Sequence, residues 1–137
     1  MTTGRRRPSV GVAIVVRDEA GRVLLGRRAV GWGAGQWCVP CGSLEWGEDI
    51  REAAARELLE ETGVRAQAGA VVSVQSNFHD PERLTVGIWF AAVNAEGEAH
   101  PADGELSEVG YFDPAAPPPL AFPTDAVVLA QLASGDG

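Results

Sequence analysis

The chain has 137 residues, 45% of them hydrophobic and 22% charged, with a net charge of −8. That length suits one domain with a real core, and the acidic balance argues against nucleic acid as a partner. All 11 basic residues are arginine, which excludes lysine chemistry, and the two cysteines, Cys38 and Cys41, are too few for a disulfide framework.

In chain order, Arg5, Arg6 and Arg7 read as a solvated basic start within a mobile tail over 1–7. No small-residue cleavage site separates the apolar run Val10 to Val16 from Arg17-Asp18-Glu19, so a secretory leader is not expected. No run approaches the ~18 apolar residues of a membrane helix. A cytoplasmic protein with no membrane partner follows. Val10 to Arg17 and Val23 to Arg28, with Gly21 between them, predict a hairpin. Gly31 to Gln36 is a glycine-rich loop, and Trp37 to Leu44 reads as short extended pieces interrupted by Pro40 and Gly42. Asp49, with Glu52 three places on, predicts a capped helix that stops at Gly63. Val64 to Ser76 and Leu84 to Val93 read as strands flanking a polar loop, Asn77 to Arg83. A short strand follows at Val109 to Phe112, then a proline-rich loop and a last helix capped by Thr124 and running to about Ala133. The tail from Ser134 to Gly137 is expected to be mobile. These elements predict one α/β domain over 1–137, a sandwich with a mixed sheet.

The central helix carries an unusual charge pattern. At about 100° per residue, Glu61 lies roughly 40° to one side of Glu57 and Glu60 roughly 60° to the other. Three carboxylates therefore share a face, while Ala54, Ala55, Leu58 and Leu59 point toward a core. Like charges at these spacings cost a few tenths of a kcal/mol each. A hard divalent cation such as Mg²⁺ offsets that repulsion. The helix alone fits equally a solvated acidic face relieved by Arg56, which is spaced to pair with Glu52 and Glu60.

The wider spacing decides between them. Gly42, five residues, Glu48, seven residues, then Arg56-Glu57-Leu58-Leu59-Glu60-Glu61-Thr62-Gly63-Val64 resembles the Nudix box, and all nine specified positions of its 23 residues match. The resemblance implies an α/β/α sandwich and an enzyme. Its expected activity is metal-dependent cleavage of a phosphoanhydride bond in a nucleoside diphosphate linked to a further group, such as ADP-ribose or a nucleotide sugar. Nucleoside triphosphate pyrophosphatase is the alternative. A non-catalytic ligand sensor fits less well, because sensors of this kind often lose a box glutamate. Carried over by position, Glu57 and Glu61 ligate Mg²⁺ or Mn²⁺, with Glu60 close by and the backbone carbonyl of Cys41 as an extra ligand. Arg56 orients a glutamate, Glu48 holds the loop against the helix, and Gly42 and Gly63 serve backbone shape. A small-molecule nucleotide is the implied partner, and homodimers are common in the family.

Outside the box, Leu120-Ala121-Phe122-Pro123 is loosely similar to ADP-ribose pyrophosphatase-like members. Phe122 is the candidate for stacking on a base, with Trp32 and Trp46 as alternatives, and Arg27 and Arg28 are candidates for phosphate. His79 lies in a polar loop where it either touches substrate or faces solvent. Cys41 stands where the family commonly has glycine. Cys38 and Cys41 form a C-x-x-C pair, but no second pair completes a zinc site, so both are expected to be packing thiols. For the general base, a carboxylate free of metal is needed. Glu105, next to the flexible Gly104 in an acidic loop, is the candidate, with Glu60 next. Glu108 is expected to be a ligand or a structural partner.

Overall fold

The structure is a computed structural model that describes residues 6–135. Arg5 and the outer parts of both expected tails lie outside those residues. The elements run β1 (Ser9–Val15), β2 (Val23–Arg28), β3 (Trp37–Cys38), β4 (Cys41–Ser43), α1 (Ile50–Thr62), β5 (Arg65–Asn77), β6 (Thr85–Glu96), β7 (Leu106–Phe112) and α2 (Pro123–Ala133). They form a mixed four-stranded sheet in the order β4-β1-β6-β5 and a three-stranded sheet in the order β3-β2-β7. The pair β1–β6 is parallel, and the other pairs are antiparallel.

The run from Val10 to Val16 is apolar without alternation because both of its faces are covered. Val12, Ile14 and Val16 pack with Ala53, Ala54 and Leu58 of α1. Ala13 and Val15 pack with Val128, Leu129 and Leu132 of α2. The two helices therefore lie on opposite faces of the strand layer, which is the expected α/β/α arrangement. Each fully buried Val, Leu, Ile or Phe contributes roughly 1.5–3 kcal/mol relative to exposure.

Three local expectations are corrected. The chain does turn at Asp18 to Gly21, with a bridge between Arg17 and Val23, but β1 and β2 then part into different sheets. Each becomes an interior strand of its sheet, paired along both edges. The last helix is not capped by Thr124. Phe122 takes the N-cap position without a side-chain bond, and Pro123 starts the helix, where its missing N–H costs nothing. The strand expected from Val109 begins at Leu106, because β7 pairs with β2 from Arg28 onward. Glu108 is thus a strand residue, opposite Arg27.

Helix α1 starts as expected. Asp49 accepts hydrogen bonds from the amides of Arg51 and Glu52 at 3.0 and 3.2 Å. It ends at Gly63 with φ of 76°, a left-handed conformation, and a Cβ there would sit 2.3 Å from the His100 ring.

Candidate active site

The box residues meet where β4 runs past α1. Arg56 is the hub. Its Nε and Nη2 donate to the two carboxylate oxygens of Glu48 at 2.6 and 3.0 Å, a forked pair. Its Nη1 donates to Glu57 at 2.9 Å and to Glu60 at 3.2 Å. Glu48 also accepts from the amide of Glu45 at 3.2 Å, which ties the loop before α1 to the helix. The Arg56 guanidinium holds the Glu48 carboxyl below its usual range, and Glu48 in turn raises the pKa of Arg56.

Glu57 and Glu61 are less comfortable. Glu57 packs its carboxylate over Gly42, where a Cβ would lie 2.1 Å from the Glu57 carboxyl carbon. The glycine is therefore required by this approach. Glu61 is 2% exposed, and its Oε2 has no hydrogen-bond partner. Its pKa is pushed up to about 11, first by burial and then by Cys41, a hydrogen bond with Glu57, and the charges of Glu57 and Glu105. An ionised carboxylate so buried needs a cation nearby or stays protonated. Among the described residues no group of three or more His, Cys, Asp or Glu is placed to hold a metal ion. Mg²⁺ needs fewer protein ligands, since it keeps several waters and uses one or two carboxylates plus substrate phosphates. The donor set of Glu57 and Glu61, with one orphaned oxygen, fits such an ion.

Glu60 is half exposed and bound to Arg56. Glu105 is exposed, just before β7, and its peptide carbonyl accepts from the amide of Ala29 at 2.9 Å. Partial burial and the charges of Asp103, Glu57 and Glu60 raise its pKa, while Arg28 lowers it. Glu105 and the box carboxylates are therefore electrostatic neighbours.

The two candidate phosphate arginines separate. Arg27 donates to Glu108 at 2.8 Å and to the carbonyl of Gly35 at 3.0 Å, away from the box. Arg28 donates to the carbonyl of Trp32 at 2.6 Å and lies over the Phe122 ring, 5.0 Å from its centroid. Its charge also reaches Cys41, Glu105 and Asp125. Arg28 thus contacts two walls, Trp32 and Phe122, of a cleft of about 490 Å³ that Gln36 and His79 also line. Trp46 is fully exposed and is not among the lining residues.

Cys38 is buried and Cys41 is partly so, and their thiols are in hydrogen-bond contact. That contact and burial raise the thiol pKa of Cys41. A protonated thiol is a poor nucleophile.

One residue escaped sequence reasoning. Asp125, 3% exposed, accepts from the amide of Val39 at 3.0 Å and from Trp89 Nε1 at 2.9 Å. It clamps the start of α2 to β6 and to the segment that leads into Cys41 and Gly42. Burial pushes its pKa up to about 6 against the pull of both donors. An Asp early in a helix ordinarily reads as a dipole complement, so only a signal linking distant residues would have found it.

Comparison with known proteins adds a family. A profile of the NUDIX domain matches residues 7–132. The chain is 38% identical over 104 residues to an oxidized purine nucleoside triphosphate hydrolase of Danio rerio, covering 74% of this chain and 65% of that protein. It is 38% identical over 86 residues to an RNA pyrophosphohydrolase of Novosphingobium aromaticivorans, covering 61% and 52%. It is 31% identical over 123 residues to an ADP-ribose pyrophosphatase of Methanocaldococcus jannaschii, covering 88% and 71%. The matched stretch thus spans about half to two thirds of the first two relatives. Among solved structures, a MutT NUDIX hydrolase from Burkholderia pseudomallei superposes with a TM-score of 0.84 at 26% identity, covering 92% of this chain and 98% of that one.

Proposed function

The chain belongs to the NUDIX family, and we propose that it is a Mg²⁺- or Mn²⁺-dependent hydrolase of a phosphoanhydride bond in a small nucleotide. The observation that carries this reading is Glu61, a buried carboxylate with an orphaned oxygen beside Glu57. Family membership and the divalent-metal requirement common in the family support it.

When bound, the cation neutralises phosphate oxygens and lowers the pKa of a coordinated water. Glu57 and Glu61 would hold it, with Glu60 and the Cys41 carbonyl as further donors. Arg56 fixes Glu57 and Glu60 in place, and Glu48 fixes Arg56. Glu105 takes the proton from the attacking water, as a carboxylate not held by the metal. Water attacks one phosphorus, the bridging P–O bond breaks, and the departing phosphate carries the electron pair. Arg28 holds the phosphate chain, and Trp32 and Phe122 hold the base by stacking. Arg27, engaged with Glu108, acts on substrate only if that pair opens.

For substrate, the first reading is a nucleoside diphosphate linked to a further group, such as ADP-ribose or a nucleotide sugar. The segment Leu120 to Pro123 that suggested it lines the cleft, and the Methanocaldococcus relative accords with it. A second reading, nucleoside triphosphate pyrophosphatase, is favoured by the Danio relative at 38% identity. The net charge of −8 weighs against long RNA despite the Novosphingobium relative. The free thiols of Cys38 and Cys41 suit a reducing compartment, so the cytoplasm is the proposed location.

The test is a substrate panel with phosphate detection. It compares kcat/KM for ADP-ribose, nucleotide sugars, standard and oxidised nucleoside triphosphates, and 5′-triphosphorylated RNA. A triphosphate ahead by about tenfold or more selects the second reading, and RNA ahead by that margin removes the small-molecule proposal. No turnover of any substrate with metal present removes the proposed activity.

A further inference from the structure

Stacking between aromatic rings tolerates every base, because each base has a π-face. Selection must then come from polar atoms at the base's edge, where an unmatched group is costly. The cleft offers few. The carbonyl of Ala121 already accepts from Trp32 Nε1 at 3.3 Å. The Gln36 amide both donates and accepts, so it discriminates weakly.

His79 differs. It lies between β5 and β6, and its ring is 4.9 Å from Trp32 and 5.1 Å from Phe122, tilted by 52° and 53°. It forms a third wall of the cleft. Its Nδ1 faces the side-chain amide oxygen, Oδ1, of Asn77, the last residue of β5. With the Asn77 amide oriented this way, Oδ1 accepts and Nδ1 carries the proton and donates. In the neutral ring, Nε2 is then an acceptor with no donor role. Burial and the Arg28 guanidinium favour the neutral ring, and Asp80 opposes them. The charged groups acting on the ring are thus Arg28 of β2 and Asp80 of its own loop, while Trp32, Gln36 and Phe122 bring no charge.

We propose that His79 is a specificity-determining residue whose Nε2 accepts a hydrogen bond from an amino or ring N–H group of a base stacked at Trp32 and Phe122. This rests on the base-binding reading of the cleft and extends it to the choice of base. Protonation of the ring turns Nε2 into a donor, so recognition of such a base weakens in acid.

The experiment uses nucleosides, which have no phosphate to titrate and need no metal. Adenosine, guanosine and cytidine are compared with purine riboside, whose base edge has no N–H. Binding to the full chain is followed by tryptophan fluorescence at about pH 7.5 and about pH 5.5. The tightest of the three is expected to bind at least about fivefold more tightly than purine riboside at the higher pH, and to lose most of that preference at the lower. His79→Phe, which keeps the ring contacts, is expected to show neither the preference nor its pH dependence, while His79→Gln recovers part of the preference without the pH dependence. Unchanged preference and pH dependence in His79→Phe would overturn the proposal, as would a wild type that binds none of these nucleosides. Hydrolysis of the substrate panel is measured on the same preparation. Turnover without nucleoside selectivity removes only the role of His79, and nucleoside selectivity without turnover removes only the proposed activity.

Discussion

Replacing Glu61 by glutamine separates its structural cost from its proposed function. In the folded protein without metal, burial and neighbouring charge push its pKa to about 11 from an ordinary 4.5. At pH 7 the unfolded chain is ionised at this position, while Glu61 in the folded protein retains a proton. Taking up that proton over roughly 2.5 pH units costs up to about 3 kcal/mol. Because the folded pKa lies above the unfolded one, the group's favourable contribution is complete below about pH 4.5. It declines as the pH rises toward 11. Glutamine keeps the shape and removes the titration. In the presence of a chelator, Glu61→Gln is therefore expected to be about 1–3 kcal/mol more stable than the wild type at pH 7. The gap should widen from pH 6 to pH 8. Urea denaturation at those two values with a chelator, and again with Mg²⁺, measures it. Mg²⁺ should stabilise the wild type and leave the variant nearly unmoved. A variant that is less stable than the wild type with chelator present, or a gap that does not change with pH, would refute the reasoning about the buried Glu61 carboxyl.

Glu105→Gln is expected to lower kcat by roughly 10²–10⁴ and to remove the acidic limb of the pH–rate profile, with metal affinity nearly unchanged; near-normal kcat moves the base to Glu60. Asp125→Ala leaves Trp89 Nε1 and the Val39 amide buried without an acceptor, at about 1–3 kcal/mol each. A denaturation midpoint within error of the wild type would show that this clamp contributes nothing. Cys38→Ser is expected to stay active in a metal-replete assay; lost turnover with the fold intact by circular dichroism would make the thiol catalytic.

The box was legible because its chemistry is local. Gly42, Glu48, Arg56 and the three glutamates sit within one loop and one helix, and spacing placed Arg56 beside Glu60 as found, although Arg56 takes Glu48 across the loop rather than the Glu52 that spacing also offered. The Asp49 cap and the Gly63 stop were legible for the same reason. Partnerships across the chain were not. Nothing local tells β1 to pair with β6, 76 positions away at Ser9 and Thr85, in preference to a hairpin with β2. Nothing local sends Arg27 to Glu108 and Arg28 to Phe122, although the two arginines are adjacent. Thr124 looked like a cap because caps are recognised by residue type, but Pro123 already starts the helix and Asp125 is drawn inward to Val39 and Trp89.

The most direct test of the metal site measures Mn²⁺ binding by electron paramagnetic resonance beside turnover, in the wild type, Glu57→Gln and Glu61→Gln. The wild type should bind the ion, turn over in proportion to its occupancy, and stop when chelator is added. Each variant should lose roughly 10²-fold or more in kcat/KM together with binding. Turnover that persists in chelator, or variants that bind Mn²⁺ and turn over like the wild type, would contradict the assignment of Glu57 and Glu61 as the metal-holding pair.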